Sequence, residues 1–397
     1  MGKYDKEKLE CIFNHYSVGF GGDSASVFHL SEKFVRFWGM LNEHIRIGWQ
    51  TLKIFLTGAT GFIGQPLTQS LIARGWNIVA LVRKLNSPQA QVLTKMGVQC
   101  VAGDVTDRES MRAGMQGADM VVHNAGWYEF GVTAKGRKLM HAINVVGTDN
   151  VLSLALESGI PRSVYVSSTV FWGETGSEVC DETWQRQKPY RSYYEQTKAE
   201  AHKIAQGYQG RGLPLIIVCP NAVVGPNDHS VYGYFLRMYL NHVLTPFAWA
   251  PDVITSRVHV KDVGEGIALA AEKGRIGETY ILAGEPSSGR EMIESWMTKP
   301  GGFKVRFYIP NWLAKVLFAP LEPLQRLVGL PAAVSRESVS GNYSMNFSSA
   351  KAQRELGWTY VPAREMWLGI LDRELELLAS RKKRDLVSRL NPVETSE

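Results

Sequence analysis

The sequence predicts an α/β fold, a doubly wound parallel sheet with a smaller, interleaved C-terminal substrate-binding lobe. Two observations carry this prediction. Apolar runs of strand length alternate with helical patterns through the first half of the chain, and the first run leads directly into a glycine-rich turn. Alternating strand and helix patterns are typical of a parallel sheet that helices cover on both faces.

Six strands are predicted from the apolar runs, near residues 52–57, 77–82, 98–101, 119–122, 162–167 and 214–218. From about residue 220 the pattern loosens into proline- and aromatic-rich pieces, which predict the smaller lobe. A helix after Lys261 and a strand over 279–283 are expected to return to the main sheet. The predicted parts are an N-terminal extension (1–50), a Rossmann domain (51–225), the lobe (226–380) and a polar tail (381–397).

The glycine-rich turn after the first strand has the spacing of a dinucleotide-binding motif. Gly58 permits a tight turn, Gly61 lets the backbone approach a pyrophosphate, and Gly64 lets the next helix pack closely on the strand. The free N–H groups of that helix then point at the phosphates. A flexible turn is the alternative for a glycine triplet alone. The predicted cofactor contacts here are Gly58, Thr60, Gly61, Phe62, Ile63 and Gly64.

A tyrosine and a lysine four residues apart, Tyr194 and Lys198, fall on one face of a predicted helix. An ammonium beside a phenol favours the phenolate and lowers its pKa, so the pair can transfer protons. Tyr193 is five positions from the lysine, which rotates it off the shared face. An exposed helix face is the alternative where this spacing stands alone. Upstream, an apolar strand ends in the hydroxyl residues Ser167, Ser168 and Thr169, where doubly wound sheets present chemistry.

With these motifs, residues 52 to 375 resemble the extended short-chain dehydrogenase/reductase superfamily, in its branch of epimerases, dehydratases and dihydroflavonol-reductase-like enzymes. Further segments carry the resemblance at suitable spacing: Gly103-Asp104-Val105-Thr106-Asp107, His123-Asn124-Ala125-Gly126, Cys219-Pro220-Asn221-Ala222-Val223 and Val258-His259-Val260. The resemblance implies a nicotinamide cofactor and an oxidoreductase reaction.

The resemblance also implies individual roles. Tyr194 would be the general acid/base, Lys198 would lower its pKa and bind the nicotinamide ribose, and Ser168, rather than Ser167 or Thr169, would orient the reacting oxygen. Further cofactor contacts are implied for Asp104, Val105, Asn124, Ala125, Gly126, Asn144, Pro220 and Val223. Asn144 resembles the helix asparagine that supports the lysine, with an ordinary buried polar residue as the alternative.

The end of the second predicted strand favours NADP. An acidic residue normally stands there, accepts the ribose hydroxyls and excludes a 2′-phosphate. Here Val82 is followed by Arg83 and Lys84. A guanidinium offers a 2′-phosphate both a counter-charge and a planar partner. NAD stays possible if Arg83 only stacks on adenine.

Aromatic residues on two predicted loops suit an apolar or aromatic substrate, with core packing as the alternative. These predicted pocket residues are Trp127, Tyr128, Phe171 and Trp172. Similar nucleotide-sugar epimerases carry an arginine four residues before the histidine of the His-Val junction. Thr255 occupies that place here, and Arg257, two residues later, could partly substitute for the arginine, so the departure makes a nucleotide-sugar substrate less favoured without excluding it.

The leading hypothesis is an NADP-dependent reductase or dehydrogenase that acts on a carbonyl/alcohol pair of a lipophilic or polycyclic small molecule. The alternative within enzymes is a nucleotide-sugar epimerase or dehydratase with tightly bound NAD. A third possibility, of another class, is a non-catalytic NAD(P)-binding regulator or assembly factor. Such proteins generally lose the tyrosine or the lysine, and both are present here.

Composition limits the kinds of binding partner that we expect. The formal charge of +6 is spread along the chain without a basic stripe interleaved with aromatics, so no nucleic-acid partner is expected. The four cysteines lack paired spacing, which predicts neither disulfides nor a metal site and fits a cytoplasmic location. In the first 50 residues an apolar pattern from Leu30 to Ile45 predicts an amphipathic helix, too charged to span a membrane. It could pack on the enzyme, contact a membrane surface, mediate a homodimer, or lie outside the native reading frame.

Overall fold

A computed structural model describes residues 51–129, 132–242, 247–299, 304–318 and 343–390. From Leu52 onward the chain forms one compact unit. The amphipathic helix expected in the first 50 residues lies outside the described part of the chain.

The main sheet contains seven strands: β1 (Lys53–Thr57), β2 (Asn77–Val82), β3 (Gln99–Ala102), β4 (Met120–His123), β5 (Ser163–Val166), β6 (Leu215–Pro220) and β11 (Thr279–Leu282). All neighbours are parallel, in the order β11-β6-β5-β4-β1-β2-β3. The predicted doubly wound parallel sheet is confirmed, and the strand expected at 279–283 does return to it. Side chains of β1 alternate between the two faces, because Ile54 and Leu56 belong to one core cluster and Phe55 to the other.

Helices cover both faces of this sheet. One face carries α1 (Gly64–Ala73), α2 (Pro88–Lys95), α8 (Val260–Lys273) and α11 (Ala350–Leu356). The other carries α3 (Arg108–Met115), α5 (Gly147–Glu157) and α6 (Tyr193–Gly210). Helix α8 can approach α1 closely because Gly264 has no side chain; a Cβ there would lie 2.7 Å from the Leu67 backbone nitrogen. The chain therefore returns from the smaller lobe to the main layers, as expected.

The smaller lobe has its own core, centred on Leu236, Tyr239, Trp296, Trp367 and Ile370. Its helices are α7 (Val231–Leu240), α9 (Gly289–Met297), α10 (Asn311–Phe318) and α12 (Ala363–Leu390). Short strand pairs complete it: β7 (Val223–Val224) with β10 (Val258–His259), β9 (Ile254–Ser256) with β12 (Pro286–Ser288), and β8 (Phe247–Trp249) with β13 (Phe307–Ile309). Helix α12 runs to Leu390, past residue 381, where the sequence predicted a polar tail.

Helix α4 (Ala134–His141) joins α5 through one π-helical turn, Ala142–Val146. The continuous helical stretch Ala134–Glu157 is long and apolar enough by composition to cross a membrane, yet half of its most apolar window is buried inside the protein. Its α5 portion packs against the sheet as a core helix. Single π-helical turns inside α-helices are frequent at functional sites.

Candidate active site

A cavity of about 770 Å³ opens at the carboxyl ends of the sheet strands, where doubly wound folds bind ligands. Most residues that the sequence analysis singled out line it: Gly58, Thr60, Gly61, Phe62, Ile63, Arg83, Asp104, Val105, Asn124, Ala125, Gly126, Trp127, Tyr128, Ser168, Tyr194, Pro220 and Val223. Five others do not form its wall: Gly64, Asn144, Phe171, Trp172 and Lys198.

The three glycines after β1 have distinct steric roles. Gly58 has φ +75°, and a Cβ there would lie 2.6 Å from the Ala125 nitrogen. A Cβ on Gly64 would lie 2.1 Å from the Gly58 carbonyl oxygen, so α1 could not start where it does. Gly61 is less constrained by the protein, since its Cβ would meet only the Gly58 oxygen at 3.3 Å. Gly61 therefore presents bare backbone to the cavity.

This end of the cavity fits a dinucleotide phosphate. Helix α1 has no side-chain cap at Ile63 and no acid in its first turn, so nothing on the helix competes with an anion. Asn124 donates from Nδ2 to the Gly58 oxygen at 3.3 Å, while its buried Oδ1 lacks a hydrogen-bond partner among the described residues. Arg83 is exposed at the cavity edge, and no carboxylate in the described ranges forms an ion pair with it.

Tyr194 and Ser168 meet at the centre of the cavity. Ser192 caps α6 by accepting from the Glu195 nitrogen, which places Tyr194 in the first turn, and the Ser168 hydroxyl acts on the pKa of Tyr194. The flanking hydroxyls point elsewhere. Ser167 pairs with the His202 ring at 2.8 Å, and Thr169 donates to Asn221 Oδ1 at 2.8 Å. Of the three hydroxyls, Ser168 is therefore the one that acts on the pKa of Tyr194.

The neighbouring tyrosine, Tyr193, lies off the cavity wall, with the guanidinium of Arg137 5.5 Å from its ring centre. Tyr194 instead contacts the ring of Tyr128 edge to face, with 4.9 Å between centroids. Helical phase therefore separates the two adjacent tyrosines in the direction that the sequence predicted.

Lys198 is buried behind the cavity wall. Its Nζ donates to the Val166 carbonyl at 3.1 Å and to the Tyr165 hydroxyl at 3.4 Å, and burial lowers its pKa to about 8. The expected lowering of the Tyr194 pKa is wrong for this arrangement. Burial raises the pKa of Tyr194 to about 12, and the hydrogen bond with Ser168 only opposes this rise. The desolvation of the phenolate is the larger effect.

Asn144 holds the loop after β4 rather than the lysine itself. Its Oδ1 accepts from the Trp127 nitrogen at 2.7 Å, and its Nδ2 donates to the Trp127 oxygen at 3.0 Å and to Thr197 Oγ1 at 3.1 Å. Thr197 precedes Lys198 on α6. Asn144 lies in the π-helical turn and so ties that turn to both the cavity wall and the lysine-bearing helix.

Two of the four aromatic residues expected in the substrate pocket lie elsewhere. Phe171 stacks on the His202 ring at 3.8 Å between centroids, and Trp172 is 4% exposed and packs against Phe347. A 3₁₀ turn at Thr169–Phe171 follows the strand and turns both side chains into the core. Trp127 and Tyr128 do line the cavity.

A buried polar group lies beside Tyr194 and was not predicted from the sequence. Arg186 pairs with Glu195 at 3.2 Å, and the second Glu195 oxygen accepts from the Tyr343 hydroxyl at 2.8 Å. Arg186 also donates to the carbonyl oxygens of Val170 and Phe171, two and three residues after Ser168. The one available signal was the Ser192-x-x-Glu195 spacing, which indicates a helix start and not an ion pair.

Comparisons with known proteins agree with this geometry. The model of the NAD dependent epimerase/dehydratase family matches residues 54–283. A ketoreductase of Stigmatella aurantiaca, named for 4-hydroxy-2-methyl-3-oxo-4-farnesyl-3,4-dihydroquinoline-1-oxide, is 31% identical over 77% of this chain and 92% of its own. Sterol demethylase protein B of Methylococcus capsulatus is 29% identical over 76% of this chain and 92% of its own. The crystal structure of gox2253 superimposes with a TM-score of 0.69 at 27% identity, covering 82% of this chain and 98% of that one.

Proposed function

The chain belongs to the NAD-dependent epimerase/dehydratase family of extended short-chain dehydrogenases/reductases and is an NAD(P)-dependent oxidoreductase. We propose that it uses NADPH to reduce a carbonyl group of a lipophilic or polycyclic small molecule. The observation that carries the proposal is that Ser168 and Tyr194 line the same cavity, with the Ser168 hydroxyl acting on the pKa of Tyr194. A hydroxyl pair at this position can hold a carbonyl oxygen and protonate it.

The catalytic step that we propose uses three side chains. A bound nicotinamide cofactor supplies the hydride that adds to the carbonyl carbon. Ser168 orients the carbonyl oxygen, and Tyr194 donates its hydroxyl proton to that oxygen as the carbon–oxygen double bond becomes a single bond. The Lys198 ammonium, charged below its pKa of about 8, lies one helical turn from Tyr194 and would bind the nicotinamide ribose.

The raised pKa of Tyr194 favours the reductive direction. With a pKa of about 12 the hydroxyl keeps its proton throughout the physiological range. A protonated phenol can serve as the acid that reduction needs, whereas alcohol oxidation would need the phenolate as base. The pKa is thus consistent with Tyr194 acting as the proton donor in the proposed reduction.

NADPH is proposed over NADH because of the charge at the end of β2. Arg83 lines the cavity there, and the strand ends without a carboxylate to accept the ribose hydroxyls. An arginine can bind a phosphate through two parallel hydrogen bonds. The proposal places the 2′-phosphate against Arg83.

A lipophilic substrate is proposed from the remaining cavity wall. Beyond the residues near Tyr194, the wall is built largely from apolar and aromatic side chains, including Trp127, Phe235, Met292, Ile293 and Trp296. Such walls bind ligands through buried apolar area and select them through a few polar groups. The names of the Stigmatella and Methylococcus relatives, which refer to a farnesylated quinoline and to sterols, support the same class.

The test is a screen of lipophilic ketones and aldehydes alongside nucleotide sugars, with cofactor absorbance as the readout. A reductase consumes one NADPH for each carbonyl reduced, and NADH supports slower turnover. Conversion of a nucleotide sugar without net change in cofactor absorbance would contradict the proposal and favour an epimerase, in which the cofactor is reduced and reoxidised within one turnover.

A further inference from the structure

Arg257 is a buried cation in the cavity wall. It stands between β9 and β10, is 2% exposed, and interrupts the extended strand because its nitrogen donates to the Thr255 oxygen at 3.0 Å. This local turn places Arg257 in the cavity wall. Burial of a guanidinium is costly unless charged or polar partners surround it.

The described residues supply only some of the polar contacts that a buried guanidinium needs. Arg257 Nη1 donates to the Ser287 carbonyl at 3.1 Å, and the guanidinium lies 5.0 Å from the Tyr232 ring centre. The Nε atom is buried and has no hydrogen-bond partner among the described residues. No described carboxylate forms an ion pair with Arg257. Arg257 therefore lines the cavity with a guanidinium that the described residues only partly satisfy.

Acidic residues of the same cavity have other partners. Glu195 pairs with Arg186 and Tyr343. Asp228 accepts from the Ser230 nitrogen at 2.7 Å and from its hydroxyl, while its backbone oxygen accepts from Arg237. Neither acid forms an ion pair with Arg257, and the third acid of the cavity, Asp104, accepts from Thr106, so within the described ranges no carboxylate neutralises this guanidinium.

The position of Arg257 separates it from Arg83, the proposed site of the 2′-phosphate. The Ser256 oxygen accepts from Gly284, which follows β11 at one edge of the sheet, whereas Arg83 follows β2 near the other edge. Five strand spacings of about 4.8 Å put these two edges roughly 24 Å apart. Arg257 is thus at the substrate end, next to Tyr232 and among apolar side chains such as Phe235, Ala248 and Ile293.

We propose that Arg257 binds an acidic group of the substrate, and that the natural substrate is a lipophilic ketone carrying a carboxylate. The inference rests on the reductase function proposed above and deepens it. An arginine in an apolar chamber suits a molecule whose hydrocarbon body fills the chamber and whose carboxylate meets the guanidinium through charge-assisted hydrogen bonds. A neutral ketone of the same shape would leave the buried charge unpaired.

The test compares keto acids with their methyl esters in straight-chain, aryl and polycyclic series, using NADPH oxidation by the intact chain. For at least one series we expect kcat/KM to be roughly 10- to 100-fold higher for the acid than for the ester, the range of one charge-assisted contact. Arg257→Met should remove this preference, so that kcat/KM for the acid falls to that for the ester. Arg290→Met is the matched control, because Arg290 also covers a tyrosine ring but is not in the cavity wall.

The outcomes separate this inference from the proposed function. Reduction of acid and ester at equal rates, or a preference that survives in Arg257→Met, overturns the role of Arg257 and leaves the reductase standing. If neither is reduced, the same acids are tested as ligands by thermal stabilisation of the NADPH-loaded protein. If the acids stabilise the protein more than the esters do, and Arg257→Met abolishes that difference, the result supports the carboxylate site without the reductase function. Equal stabilisation, or Arg257-dependent binding of UDP-glucose alone, contradicts it.

Discussion

The guanidinium of Arg186 and the carboxylate of Glu195 form an ion pair, with side chains only 16% and 3% exposed, directly beside the proposed catalytic tyrosine. Glu195 follows Tyr194 on α6, and Arg186 binds the backbone just after Ser168. The pair therefore joins the two segments that carry Ser168 and Tyr194. Gly173 makes room for it, because a Cβ there would lie 2.8 Å from the guanidinium carbon.

Glu195→Gln should lower kcat by roughly 10- to 100-fold and change KM for NADPH by less than about twofold. The amide keeps the size of the side chain but loses the charge that holds Arg186, and small misplacements of reacting groups can cost that much. Steady-state kinetics measure both constants. Arg112→Met removes an exposed ion pair with Glu109; this control variant should leave kcat and KM unchanged. An unchanged kcat in folded Glu195→Gln would show that the ion pair does not position the catalytic hydroxyls.

Arg83→Ala should weaken NADPH binding by about 1.5–3 kcal/mol, or roughly 10- to 150-fold in Kd, because a charge-assisted contact to the 2′-phosphate is lost. NADH binding should stay nearly constant. Titration of both cofactors by fluorescence gives the two values. Lys84→Ala is the control, since Lys84 follows Arg83 but does not line the cavity. Equal losses for NADPH and NADH would remove the argument for NADP.

The kcat/KM for NADPH should decline above pH about 8. This constant reports ionisations of the free enzyme, and burial lowers the pKa of Lys198 to about 8. The ammonium is charged below that value and becomes neutral as the pH rises through it, which removes a positive charge near the cofactor. Lys198→Arg, which stays charged, should abolish the decline. A parent profile that stays flat to pH about 10, the usual range of a lysine, contradicts the assignment.

Two buried histidines should make the fold acid-sensitive. Burial lowers the pKa values of His123 and His202 to about 3, against an ordinary value of 6.5. Their stabilisation is complete above the unfolded value near 6.5 and is lost as pH falls towards 3, at up to about 1.4 kcal/mol per pH unit for each histidine. Urea unfolding between pH 4 and about 6.5 measures the slope.

His202→Gln should reduce that slope by about half, because one of the two histidines no longer gains a proton on unfolding. Exposed His141→Gln is the control and should leave the slope unchanged. A slope that His202→Gln does not alter would mean that other groups control the acid sensitivity.

The parts of the fold that the sequence predicted are those with local causes. The apolar runs gave the sheet strands within a residue or two, because β-strands buried on both faces need continuous apolar sequence. The glycines after β1 were also informative, because the close approach of Gly58 and Gly64 to neighbouring backbone excludes a side chain at each position. Helical periodicity alone placed Tyr194 and Tyr193 on different faces.

The parts that the sequence did not predict depend on contacts between distant segments. Nothing near Arg186 indicates that it reaches the carbonyls after Ser168, and nothing near Tyr343 indicates its hydrogen bond to Glu195, 148 residues away. Phe171 and Trp172 were expected at the cavity because they follow a sheet strand. The 3₁₀ turn at that point directs both side chains into the core instead, and this orientation depends on the surrounding packing.

The most direct test of the proposed mechanism is the rate of NADPH oxidation by Tyr194→Phe beside Tyr193→Phe, with a carbonyl substrate found in the screen. Removing the hydroxyl of Tyr194 removes the proton donor, so turnover should fall by roughly two orders of magnitude or more while NADPH binding is retained. Tyr193→Phe, off the cavity wall, should keep most of the activity. Near-normal turnover in Tyr194→Phe, or a larger loss in Tyr193→Phe, would contradict the account.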